Sequence, residues 1–166
     1  MIELKLREPI IDAVIAKLKA GYATRVATIN AADTQGITLG VPGTADYYYG
    51  RARTIARVPA LIVTGLPGSQ FTEEGAHSFN YQTLVAVYAV DEDADTEKLA
   101  RKLDRHERAI IETLWDDAPQ EALTNSAYTF RPQEDSLSPV FEPRDGDPAP
   151  YRSWIGVVFE ASQSEG

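Results

Sequence analysis

The chain has 166 residues, 43% apolar and 25% charged, which fits one domain with its own core and excludes a wholly disordered chain or a stapled mini-protein. It has no Cys, which removes disulfide frameworks, thiolate zinc sites, iron–sulfur clusters and thiol catalysis; its two His, His77 and His106, cannot supply a three-His metal site. With 16 basic and 25 acidic side chains the net charge is −9, which argues against a general nucleic-acid binder because phosphates need a basic footprint.

The first element expected is a helix. Pro9 suits its first position, where no N–H is required, and Ile11, Val14, Ile15 and Leu18 recur on one face. Gly21 marks an end or a break, with Tyr22, Val26 and Ile29 continuing the phase to about Ala32. Asp33 to Gly36 reads as a turn. Residues 36–59 then form an extended loop, interrupted by Gly36, Gly40, Gly43, Gly50, Pro42 and Pro59. This loop carries Tyr47, Tyr48 and Tyr49, followed by Arg51, Arg53 and Arg57. A long loop is usually functional, and Tyr and Arg are enriched in binding hot spots.

Pro59 to Thr64 is a short apolar run ending at Gly65, expected to be a buried strand, and Gly65 to Gly75 is expected to be loop. Ser78 to Val90 alternates as a long strand, polar on one face in its first half and apolar on both in its second. Asp91 to Asp95 is a turn into a second helix, with Asp95 as its N-cap. Leu99, Leu103, His106, Ile110 and Leu114 make its apolar stripe, and Glu97–Arg101 and Asp104–Arg108 are its i,i+4 pairs. The helix is expected to stop near Trp115, before Asp116-Asp117-Ala118-Pro119. Tyr128 to Pro132 is a short strand, residues 132–150 a Pro-rich arm, Ser153 to Ala161 the last strand, and residues 162–166 a flexible tail. The expected fold is a single α+β domain over residues 1–161. Its small, mostly antiparallel sheet carries two helices on one face.

Catalytic chemistry finds little purchase. The Asp91-x-Asp93-x-Asp95 run lacks the Gly at position six and the Glu at position twelve of a calcium loop, which here are Thr96 and Lys102. Gly36, Gly40 and Gly43 match no phosphate-binding loop, and Ser69 lies in no nucleophile elbow. His106 reads as a core histidine with one hydrogen-bond partner and His77 as a surface one. No catalytic residue, metal site or cofactor is expected. The Tyr47–Arg57 segment reads first as a protein contact; stacking on single-stranded nucleic acid is weakened by the acidic balance. No apolar run approaches the roughly 18 residues needed to cross a bilayer. Met1 to Arg7 has no signal-peptide core, so a cytoplasmic chain without a membrane partner is expected. Charge is uneven: residues 1–83 carry 8 basic and 7 acidic groups, residues 84–166 carry 8 and 18. Such asymmetry suits either solubility or two complementary faces.

Taken as a layout over nearly all its length, the chain resembles the tail terminator, or tail completion, proteins of long-tailed bacteriophages. The resemblance rests on the helix with Pro9-Ile10-Ile11-Asp12-Ala13-Val14, the strand Pro59 to Val63 and the long strand Tyr81 to Val90. It continues with Asp91-Glu92-Asp93 before the Arg-rich helix of Leu103-Asp104-Arg105, and with the final strand Trp154 to Phe159. It implies a structural virion protein, assembled in the host cytoplasm, that forms a ring of its own copies, commonly a hexamer. That ring would cap the head-proximal end of the tail tube, stop growth of the tube protein and face a head-completion or connector protein. DNA would pass without specific binding, past acidic side chains such as Asp104 or Glu112. The alternatives are another head–tail connector or neck protein, or a small ligand-binding α+β domain or enzyme using His106 or His77.

Overall fold

A computed structural model describes residues 7–50, 55–73, 79–114, 128–132, 142–143 and 150–165. The elements in chain order are helix α1 (Arg7–Ala31), strands β1 (Tyr47–Tyr49), β2 (Ala60–Glu73) and β3 (Phe79–Asp93), helix α2 (Thr96–Leu114), and strands β4 (Tyr128–Pro132), β5 (Glu142–Pro143) and β6 (Tyr151–Glu165). The sheet runs β1-β2-β3-β6-β4, with β5 also on β6, and every pairing is antiparallel except β1 with β2. The fold is the α+β arrangement expected, with both helices on one face.

Strand parity explains the core. Leu61 and Val63 of β2, Val85, Val87 and Ala89 of β3, and Ile155, Val157 and Phe159 of β6 all point to the helix side. They meet Ile10, Val14, Leu18, Tyr22 and Val26, which return every fourth residue along α1, and Leu99, Leu103, Ile110 and Leu114 of α2. Each such Val, Leu, Ile or Phe side chain, fully buried, contributes about 1.5–3 kcal/mol. On the other face Tyr88 and Trp154 meet edge to face, 5.3 Å between centroids.

Several boundaries differ from those expected. α1 begins at Arg7 and runs through Gly21 without a break. Pro9 is tolerated there because its missing N–H falls among the first four, which have no intrahelical partner. Gly21 serves a close approach: a Cβ there would lie 3.3 Å from Thr113 Cγ2 of α2. The exposed positions Ala16, Ala20, Ala23 and Ala27 favour the helix on either side of it. β2 continues beyond Gly65 to Glu73, absorbing Pro67 and Gly68 (φ 111°) in a register shift between Leu66 and Gln70. β6 continues through the stretch expected to be a flexible tail. Ser162 to Glu165 pair with Gln82 to Phe79, so the backbone there has a ladder to join. The stretch 36–59 contains β1, and the Pro-rich stretch contains β5; the rest of residues 133–149 lie outside the described residues.

The acidic entry to α2 behaves as its sequence suggests. Asp95 Oδ1 accepts from the N–H groups of Glu97 (2.9 Å) and Lys98 (3.2 Å), capping the helix. Glu97 pairs with Arg101 at 2.9 Å. Arg108, however, pairs with Glu112 at 2.7 Å instead of Asp104, since Glu is one methylene longer and reaches the guanidinium one turn on.

Candidate interaction surface

β1 lies at the edge of the sheet, beside only the first residues of β2: Tyr47, Tyr48 and Tyr49 are in register with Leu61, Ile62 and Val63. Three consecutive tyrosines on a strand cannot share one face. Tyr47 points to the helix side, packs partly buried against the core and carries the Lys19 ammonium 5.8 Å from its ring centroid. Tyr48 points the other way and is half-buried. Tyr49 returns to the helix side near the start of α1 and stays 51% exposed, one of two large hydrophobic side chains so exposed among the described residues. Its phenol is pushed up from the ordinary value by partial burial and by the Glu8 and Asp12 carboxylates, against the opposing Arg7.

Behind the strand a turn holds its entry. Asp46 is buried; its Oδ2 accepts from Gly43 N–H at 3.1 Å, and its backbone bonds Gly43 O and Leu61 N–H. A Cβ at position 43 would come 2.7 Å from that carboxylate oxygen, which favours glycine there. Arg57 pairs with the same carboxylate at 3.5 Å, yet its side chain is 68% exposed. Of the six residues singled out from the sequence, the structure therefore brings Tyr47, Tyr49 and Arg57 to this flank of the sheet and turns Tyr48 away. Arg51 and Arg53 lie outside the described residues. So does His77.

The buried polar chemistry lies elsewhere, where both helices meet the sheet. His106 is fully buried and has two partners instead of the one expected: Nδ1 meets the Tyr22 hydroxyl, and Nε2 lies 2.9 Å from Asp91 Oδ2. Burial, with Tyr47 and Asp91 nearby, holds the Tyr22 phenol well above its ordinary value, so it stays protonated and donates to Nδ1. The imidazole proton then sits on Nε2 and is given to Asp91, whose Oδ1 accepts from Glu92 N–H at 2.8 Å. Both ring nitrogens are satisfied in a fully buried setting, so the arrangement joins α1, α2 and β3. Ser153, in register with Asp91, is also buried, and neither Tyr22 nor His106 is exposed at all.

No family model matches the chain, and no curated protein matches it. The geometry therefore stands alone beside the sequence pattern.

A second polar cluster was not apparent from the sequence. Arg7 at the start of α1 donates to Leu66 O at 3.2 Å and to the Ser69 hydroxyl; Ser69 Oγ lies 2.9 Å from Thr83 Oγ1 and accepts from the Tyr81 hydroxyl at 3.1 Å. It fastens the start of α1 to the register shift of β2. Gly65 admits it, because a Cβ there would overlap the Arg7 side chain. The signal was hidden because Ser69, Tyr81 and Arg7 converge only when β2 pairs with β3. Among the described residues no group of three or more His, Cys, Asp or Glu is arranged to hold a metal ion, and no helix is long and apolar enough to cross a membrane.

Proposed function

We infer that the chain is a structural assembly protein: copies of it form a ring that closes the head-proximal end of a phage tail tube and offers its other side to a head-completion protein. The observation that carries this reading is the β1 edge. A half-exposed aromatic ring, an exposed guanidinium and an ammonium held over a second aromatic ring stand together at the end of a sheet. These are the residue types that anchor protein contacts. The pattern resemblance to tail terminators supplies the assembly in which such an edge would be used. The partners proposed are further copies of the chain, the tube protein and the connector. The duplex would pass through the ring without a specific site, as suits a protein of net charge −9.

The test is electron microscopy of tails assembled with and without the protein. Tubes of uncontrolled length in its absence support termination. Tails of normal length that fail to join heads would assign the protein to the neck instead.

A further inference from the structure

The two flanks of the molecule carry complementary chemistry. α1 packs over β1 and β2, and α2 over β3 and β6. The side of α2 turned to α1 bears Arg105, His106 and Thr113, which meet Asp33, Tyr22 and Gly21. At roughly 100° per residue, Asp104, Glu107 and Ile111 fall on the side turned away from α1. There, with Arg108 and Glu112, they line a shallow concavity of about 300 Å³. Arg108 is taken by Glu112, and neither Asp104 nor Glu107 has an ion-pair or hydrogen-bond partner among the described residues. Partial burial and the neighbouring Asp104 charge push the Glu107 carboxyl above its ordinary value. The groove thus combines the half-buried Ile111 with two carboxylates that repel each other and lack a cation among the described residues. The opposite flank offers Tyr49, 51% exposed, the exposed Lys19 with no carboxylate partner among the described residues, and Arg57, whose only such partner is 3.5 Å away.

We propose that the β1 edge of one copy docks on the α2 groove of the next, Tyr49 against Ile111 and Lys19 and Arg57 against Asp104 and Glu107. The proposal rests on the ring reading above and adds the identity of both faces of the seam. The contact is heterologous, so a rotation that closes yields a ring and leaves no protomer at an end. Glu8 and Asp12 beside Tyr49 make the donor flank acidic at one end and basic at the other, which selects one orientation along the groove. In this seam Asp104 faces a neighbouring protomer rather than the channel.

The chain has no Cys, so introduced thiols report without background. A Lys19→Cys, Asp104→Cys double variant, oxidised at concentrations where the parent associates, should give a ladder of covalent oligomers beyond the dimer. Each single variant should give at most dimers. In parallel, Asp104→Lys with Glu107→Lys should weaken self-association about tenfold or more, because like charges then face each other. Adding Lys19→Glu and Arg57→Glu to the same chain should restore it. All four positions are exposed or half-exposed, and unchanged circular dichroism and melting would show the variants folded. A parent that sediments as a ring while the double-Cys variant gives no ladder and charge reversal has no effect would overturn this seam and leave the ring reading standing. A parent that stays monomeric at every concentration, together with a double-Cys variant that gives no ladder, would overturn both.

Discussion

Removing the Tyr22 hydroxyl isolates what His106 gains from its second partner. Tyr22→Phe keeps the ring that fills the core but leaves Nδ1 without a donor, and should cost about 1–3 kcal/mol, read as a lower denaturant midpoint at unchanged slope. A variant as stable as the parent would mean that the hydroxyl bond is not made in solution. Acid behaviour rests on a different residue. Burial pushes the Asp33 carboxyl up, but hydrogen bonds from Arg105 and from the N–H groups of Gln35 and Ile37, with the Arg105 charge, hold it down at about 2 against an ordinary 3.8. A carboxyl lowered in the folded state contributes stability that is complete above its unfolded value and is lost as pH falls. The parent should therefore lose stability between pH 3.8 and about 2. Asp33→Asn should be less stable than the parent at neutral pH, and the gap between them should close through that window; parallel pH curves for the two proteins would count against the assignment. Asp93, held low first by its hydrogen bond from Lys102 and then by the Asp95 N–H, acts in the same direction.

Helix α2 is the element on which the core depends most visibly. Leu103 is fully buried between α2 and the sheet, so Leu103→Ala should destabilise by roughly 2–5 kcal/mol in chemical denaturation, while a neutral result would contradict the packing. The stripe of α2 and its Asp95 cap were legible because both are local: a four- or three-residue step and a side chain reaching two and three residues ahead. The continuity of α1 was not. Gly21 reads locally as a stop, and its reason, the Thr113 methyl across the helix pair, belongs to another part of the chain. The same holds for Gly65 to Glu73, whose Gly and Pro suggest loop until β3 supplies a partner, and for His106, whose stripe position was evident while Tyr22 and Asp91 were not. The polar end of β6 looks frayed by composition because strand ladders need backbone groups only, and no apolar alternation marks them there. A chain ending at Ala161 should lose hydrogen-exchange protection at those amides of residues 79–82 and 128–129 that face the removed segment, and keep it in α1 and α2. Unchanged exchange at residues 79–82 would place the end of β6 off the sheet.

For the whole molecule, charge sets the expected behaviour toward DNA. With net −9 the purified protein should show no tight binding to duplex DNA in fluorescence anisotropy at moderate salt, and a tight complex that weakens steeply with added salt would contradict the proposed ring, through which duplex passes without a specific site. The sheet has a further consequence. β3 is in register with β6 along its whole length, Phe79 to Asp93, and with β2 on its other side. A pull along the strand direction loads all these rungs at once, in shear, and none can yield before its neighbours. A pull across the strands opens them one after another, as a zipper. The molecule is therefore mechanically anisotropic, stiff along β3 and weak across it, and its resistance to an applied load depends on how β3 is aimed.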